Sequence, residues 1–142
     1  MKISEVMTTN VETVSADQTA REAANFMLRA NAGSIPVCEG DRVIGMITDR
    51  DIAVRGIAEG RGPDCSVRDL MSDDIVCARE TDDTHDVAER MSSEQVRRLP
   101  VVDENDRLVG IVSLGDLSRE GPEQAAAVAL EGVTQPGGEH EQ

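Results

Sequence analysis

Aromatic side chains are almost missing from this 142-residue chain, which has one Phe and no Trp or Tyr. Its core therefore has to be built from Val, Ile, Leu, Met and Ala. With Phe26 alone, a platform on which nucleic-acid bases could stack is ruled out. Basic residues are scarce as well, 14 against 28 acidic, for a formal charge of −14. Neutralising phosphates takes clustered Lys and Arg, so the charge balance also argues against nucleic acid as a partner. No run approaches the ~18 apolar residues of a membrane span, and the opening MKISEVMTTN has no apolar stretch of the signal-peptide kind. The expected compartment is the cytoplasm, with no membrane partner. Three cysteines (Cys38, Cys65, Cys77) are an odd number at wide spacing, matching neither a disulfide framework nor a zinc pattern. Even with His85 and His140 nearby in composition, they read as buried or incidental thiols. No metal site is expected.

What the chain does have is apolar residues at 39% and charged residues at 30%, the balance of a folded globular protein. It also repeats itself. A shift of 64 places Met7 on Met71, Ala24 on Ala88, Met27 on Met91, Pro36 on Pro100 and Val37 on Val101. After one inserted residue the shift becomes 65, and Gly45 meets Gly110, Thr48 meets Ser113, Asp51 meets Asp116 and Ile52 meets Leu117. Internal repetition governs the fold assignment, so it is read before any local pattern. The copies span 3–59 and 66–118, with a Gly/Pro-rich linker at 60–65.

Each copy carries the same order, β-α-β-β-α. A short strand (Val11–Val14 or Ile75–Ala78) precedes helix-start residues, Ser15 and Asp17 in one copy and Asp83 and Thr84 in the other. The helix that follows has its apolar stripe at Ala20, Ala23, Ala24 and Met27, and in the second copy at Val87, Ala88 and Met91. Hairpins are expected over Ser34–Glu39 and Arg42–Thr48, and over Leu99–Asp103 and Leu108–Ser113. Gly40-Asp41 and the Glu104–Arg107 turn supply the positive φ that tight turns need. Second helices start at Thr48 and Ser113, and Ser66 with Asp69 reads as a capped helical turn. One copy, at roughly 55–60 residues, buries little apolar surface. The fold class is therefore α+β, two repeats packed sheet to sheet with pseudo-two-fold symmetry. Beyond 118 a short Ala-rich helix (Glu123–Leu130) and a flexible tail (Pro136–Gln142) are expected.

The segments SIPV and RLPVV before the hairpins, with GMITDRD and GIVSLGD after them, resemble a tandem pair of CBS domains, the Bateman module. In its short stand-alone form the chain is similar to the small bacterial hypoxic-response proteins. The resemblance implies binding of adenine nucleotides or S-adenosylmethionine in two clefts, dimerisation into a flat four-repeat disc, and regulation of a target. It implies energy-sensing or stress-response roles and no catalysis. No required cofactor is expected, and the regulatory ligand would be AMP, ADP or ATP. The unknown target protein would be met in trans.

The recurring element is [ST]-x-x-D at the start of a helix. An ionised Asp accepts from both ribose hydroxyls, and such charge-assisted bonds run at ~1.5–3 kcal/mol each. Thr48 with Asp51 and Ser113 with Asp116 are the ligand candidates, flanked by Met46-Ile47 and Ile111-Val112 as apolar walls for adenine. The same spacing is a helix-capping box, and both roles stay open for these residues. Arg50, Arg97 and Arg98 are candidate phosphate contacts or surface ion pairs. As the family resemblance implies, Thr48, Arg50 and Asp51 would face Met71, Val76, Val96 and Arg97. Ser113 and Asp116 would face Met7, Glu12, Ala32 and Gly33. TDRD has Arg50 where SLGD has Gly115, so only the first motif carries a cation beside its Asp, and its cleft is expected to take the phosphate.

No Ser-His-Asp arrangement, paired-His motif or phosphate-cradling Gly loop occurs, so an enzyme is not expected. A nucleotide sensor leads. Its competitors are a ligand-free dimerisation platform and a cysteine-based redox or metal responder. A homodimer is expected from the apolar positions Ile52, Ala53, Ile57, Leu114 and Leu117. His85 is assigned to the surface, and Met27 and Met91 to the core.

Overall fold

The computed structural model describes residues 1–135, so the expected flexible tail, Pro136–Gln142, lies outside the described residues. The chain forms two compact units. One is residues 12–75. The other joins residues 1–11 to residues 76–135. The units do not coincide with the copies, because each takes the opening segment of the other copy.

In the unit 12–75, α1 (Ala20–Ala30) starts at Thr19, not at Ser15 or Asp17. The Thr19 side chain accepts from Glu22 N while Glu22 reaches back to the Thr19 backbone, a reciprocal cap. It ends on Asn31 in the left-handed region, φ 51°. Strands β1 (Ser34–Glu39) and β2 (Arg42–Thr48) form an antiparallel hairpin around Gly40, whose φ of 63° costs a residue without Cβ nothing. Helix α2 (Asp49–Asp51) runs directly into a π-helical segment, Ile52–Ile57. The expected strand Val11–Val14 is reduced to one bridge, Val14 with Val37, because only Val14 reaches the hairpin edge. The core holds Val14, Ala20, Ala23, Met27, Ile35, Val37, Ile47, Val67 and Leu70.

In the other unit a two-residue β3 (Ala78–Arg79) replaces the expected Ile75–Ala78. Helix α3 (Thr84–Glu94) is capped by Asp83 and ends on Gln95, φ 56°, the repeat equivalent of Asn31. β3 pairs in parallel with β4 (Arg98–Val102), which forms a hairpin with β5 (Leu108–Ser113). Asp106 supplies the positive φ of that turn, 63°. Both hairpins have a register shift at equivalent places, Val37/Cys38 and Val101/Val102. Helix α4 (Leu114–Glu120) is regular where the first copy is π-helical. Helix α5 (Glu123–Val133) is longer than the expected Glu123–Leu130. It shares a buried cluster with Ile3, Val6, Val87, Ala88, Met91, Leu99 and Leu117.

The opening segments are equivalent 3-10 turns, Ile3–Glu5 and Val67–Asp69. Ile3 N donates to Asp82 O at 2.8 Å, and Thr8 and Ile111 exchange backbone bonds at 2.8 and 2.9 Å. In the unit 12–75, Val67 N donates to Gln18 O at 2.8 Å, and Met46 and Ser72 exchange bonds at 2.9 Å. Gly45 and Gly110 make this possible. A Cβ on Gly45 would stand 2.6 Å from Ser72 O, and one on Gly110 would stand 2.6 Å from Met7 Sδ.

Candidate functional site

Each hairpin delivers a hydroxyl to the start of a helix, and an Asp follows on the first turn. In the unit 12–75 Thr48 and Asp51 are both buried, at 6% and 4% exposure. Asp51 N donates to Thr48 Oγ1 at 3.0 Å, and Thr48 N donates to Asp51 Oδ2 at 2.9 Å. In the other unit Asp116 N donates to Ser113 Oγ at 3.0 Å, and Ser113 N to Asp116 Oδ2 at 3.0 Å. Capping is thus realised in both copies. One carboxylate oxygen serves the helix start, and the other, Oδ1, faces outward from that bond. The helix starts are tied to the residues before the hairpins in the same way. Asp49 N donates to Gly33 O at 2.9 Å and Leu114 N to Arg97 O at 2.8 Å.

The cations differ from expectation. Arg50 is exposed, and the guanidinium that approaches Asp51 belongs to Arg55, with Nε 3.9 Å from Oδ1. Arg55 also donates to the Leu70 and Met71 carbonyls, each at 3.3 Å, tying the π-helical segment to the opening segment of the second copy. Asp116 likewise has a cation, since Arg119 Nη2 donates to Oδ1 at 3.1 Å. Both motifs therefore have a cation beside their Asp, not the first alone as expected. Arg119 lies one turn along, where a helix places neighbours. Thr8 adds its hydroxyl to Asp116, 3.3 Å from Oδ1 and 3.4 Å from Oδ2. Arg55, Arg119 and Thr8 are the residues that sequence reasoning missed. Their signals were the i+4 and i+3 spacings to Asp and a hydroxyl directly after the matched Met7/Met71 pair.

Met71 and Ser72 pack on Gly45 and Met46 in one unit, and Met7 and Thr8 on Gly110 and Ile111 in the other. Met46 is fully buried, Ile111 half-buried. Val96 is a core residue of its own unit. Arg97 and Glu12 are exposed, whereas Arg98, Val76, Ala32 and Gly33 are partly buried. Leu117 is fully buried against α5, so it is withdrawn from the apolar surface expected of it; Ile57 remains exposed at 73%. Met27 and Met91 are buried and His85 is exposed. Cys38 is buried; burial, then the charge of Asp106, pushes the Cys77 thiol up from its ordinary value. Among the described residues no group of three or more His, Cys, Asp or Glu could hold a metal ion, and no helix is long and apolar enough to cross a membrane.

The two repeats, each a helix, a hairpin and a second helix that opens on a hydroxyl–Asp cap, have counterparts in known proteins. The CBS domain family model matches residues 3–55 and 67–123, and the chain belongs to the CBS domain family. It is 47% identical over 116 residues to the CBS domain-containing protein YhcV of Bacillus subtilis, covering 82% of both chains. It is 34% identical over 134 residues to Hypoxic response protein 1 of Mycobacterium tuberculosis, covering 93% of both. A crystal structure of Hypoxic Response Protein I with two coordinated zinc ions aligns with TM-score 0.79 at 34% identity, over 86% of this chain and 100% of that one. The CBS domain pair of protein MJ0100, in complex with 5′-methylthioadenosine and S-adenosyl-L-methionine, aligns with TM-score 0.74 at 28% identity, over 84% and 94%.

Proposed function

We propose that this protein is a non-catalytic regulatory module that binds an adenosyl ligand (AMP, ADP, ATP or S-adenosylmethionine) and acts as a homodimer on a separate partner protein in the cytoplasm. The observation that carries the reading is the duplicated buried carboxylate. Asp51 and Asp116 sit at matched helix starts, each with one oxygen bound to its own cap and the other beside an arginine. A ribose presents two adjacent hydroxyl donors, which suits an oriented, ionised acceptor. The adenosyl ligands of the MJ0100 pair support the same ligand class. Arg55 and Arg119 are available as donors to a phosphate or carboxylate group.

The dimerisation-platform reading has its own support, since Thr8 and Arg119 both engage Asp116 within the protein itself. Calorimetric titration of ligand-stripped protein separates the two. A ligand at a hundredfold excess over Kd adds about 2.7 kcal/mol to native stability and raises Tm by several degrees. Asp51→Ala and Asp116→Ala, singly and together, assign the heat to each motif. No heat and no Tm shift with any of the four ligands at millimolar concentration leaves the platform reading standing.

A further inference from the structure

Ala24 and Ala88 are repeat equivalents, yet Ala24 is exposed and Ala88 fully buried. Ile52 is half-buried, whereas its equivalent Leu117 is fully buried. Helix α5 makes the difference, because its Ala125 and Ala129 are buried in one cluster with Ala88 and Leu117. The first copy has no such helix and runs from the π-helical segment into the loop 60–65. A cleft of about 320 Å³ is left between α1, the π-helical segment and that loop. Small residues make the room, Ala20 and Ala24 on α1, Gly56 on the π-helical segment and Gly62 in the loop. Backbone bonds fix the loop in place. Ala20 N donates to Cys65 O at 2.9 Å, Arg21 N to Pro63 O at 3.0 Å and Arg61 N to Gly56 O at 2.9 Å. These polar groups are spent on one another, and the wall of the cleft is apolar throughout. Arg21 and Arg61 line it with their carbon stems and hold their guanidiniums at its rim.

We infer that this cleft binds a small aliphatic carboxylate, at a site separate from the two hydroxyl–Asp motifs. In the second copy the equivalent face is filled by the aliphatic side chains of α5, and the first copy leaves the same kind of space to a ligand of the same character. Its volume falls at the low end of the ~300–1,000 Å³ of small-molecule sites, which are likewise mostly apolar with a few polar groups that orient the ligand. The apolar wall has no partner for a ribose or a base. Polar contact comes from the rim alone, and there it is cationic. Arg21 and Arg61 hold exposed partners, Asp64 at 3.3 Å and Asp69 at 3.8 Å. Surface pairs of this kind are weak, and a guanidinium has five donors to share. A carboxylate matches the guanidinium fork. A dianionic phosphate suits the rim less well, since Asp64 and Asp69 stand beside the same cations and repel the second charge. Cys65, half-buried in the wall, is a native reporter of occupancy.

Octanoate, with hexanoate and octanol beside it, is titrated calorimetrically into the full chain. Octanoate should bind more tightly than hexanoate, by about fourfold for each methylene buried. Arg21→Gln/Arg61→Gln should weaken octanoate about tenfold and leave octanol unchanged. Ala24→Leu, which fills the cleft, should abolish binding of both. In the parent chain, iodoacetamide alkylation mapped by peptide mass should slow at Cys65 when octanoate is present and stay unchanged at Cys77, a readout that stands even if the variants fail to fold. No heat with octanoate at millimolar concentration overturns the inference, as does binding that survives Ala24→Leu or equal protection of Cys65 and Cys77. Octanoate bound at parental strength by Arg21→Gln/Arg61→Gln overturns the carboxylate as the ligand's head group. Protection of Cys65 that follows protein concentration and not octanoate puts a second copy over the cleft, and overturns the ligand as well.

Discussion

The Thr8 hydroxyl lies 3.3 Å from one oxygen of Asp116 and 3.4 Å from the other, although the two residues are 108 positions apart. The equivalent pair, Ser72 and Asp51, makes no such bond among the described contacts; Arg55 approaches Asp51 instead. Thr8→Val should therefore cost about 1 kcal/mol in urea unfolding, the range for one hydrogen bond to a charged acceptor at a partly exposed site. Ser72→Ala should cost clearly less. Equal losses would show that the Thr8 bond contributes nothing specific.

The two repeat glycines should differ in tolerance. At Gly45 an added methyl meets a backbone carbonyl, Ser72 O, at 2.6 Å; at Gly110 the nearest atom is the sulfur of the flexible Met7, also at 2.6 Å. Gly45→Ala should destabilise by ~1–3 kcal/mol, as overpacking does. Gly110→Ala is expected to cost less, with Thr8 O at 2.9 Å setting the remaining penalty. At Gly62 nothing lies within 4 Å of an added Cβ. Gly62→Ala should be neutral or raise stability by up to ~1 kcal/mol. Denaturant midpoints of the three variants give the ranking.

Acid should weaken the fold through two surface carboxylates. The backbone N–H of His85, then the N-terminal ammonium, holds Asp83 below the ordinary carboxylate range. The backbone N–H groups of Arg107 and Asn105 do the same for Asp103. A carboxyl lowered in the folded state contributes its full stability above the unfolded value of about 3.9, and loses it as pH falls through the lower folded value. Melting temperature should thus drop below about pH 4. In the Asp83→Asn/Asp103→Asn variant, which keeps acceptors that do not titrate, the drop should be shallower. Superimposable profiles from pH 7 to 3 would count against both assignments.

Removing helix α5 should uncover what the first copy already shows. A chain ended after Gly121 would expose Ala88 and Leu117, now fully buried. It should lose several kcal/mol of stability and form species larger than the parent in light scattering. A truncated chain of parental mass and stability would mean that α5 covers nothing of consequence.

Much of this architecture was legible because its signals are local. Strands β1, β2 and β5 have the expected bounds to the residue over SIPVCE, RVIGMIT and LVGIVS, and the left-handed residues of both turns fall on Gly40 and Asp106. Helix starts at Thr48 and Ser113 carry their own capping signature. Val11–Val14 misled because its β-branched residues favour extension while only Val14 finds a partner. The cations nearest the two carboxylates were missed for a related reason. Adjacency in sequence pointed to Arg50, but neighbours on a helix are three or four residues apart, which brings in Arg55 and Arg119. The exchange of opening segments between copies came only through the family resemblance, which set Met7 opposite Ser113 and Asp116 and Met71 opposite Thr48 and Asp51, since no local pattern records contacts such as Thr8 with Ile111.

That exchange also sets an order in time. Residues 12–75 are continuous and can close their core while the rest of the chain is still being synthesised. Residues 1–11 leave the ribosome before them, yet Ile3 and Val6 belong to a cluster whose other members begin at Ala78 and extend to Ala129. Ile3 and Val6, made before that core, are therefore sheltered from water only after it, and they wait for helices not yet made.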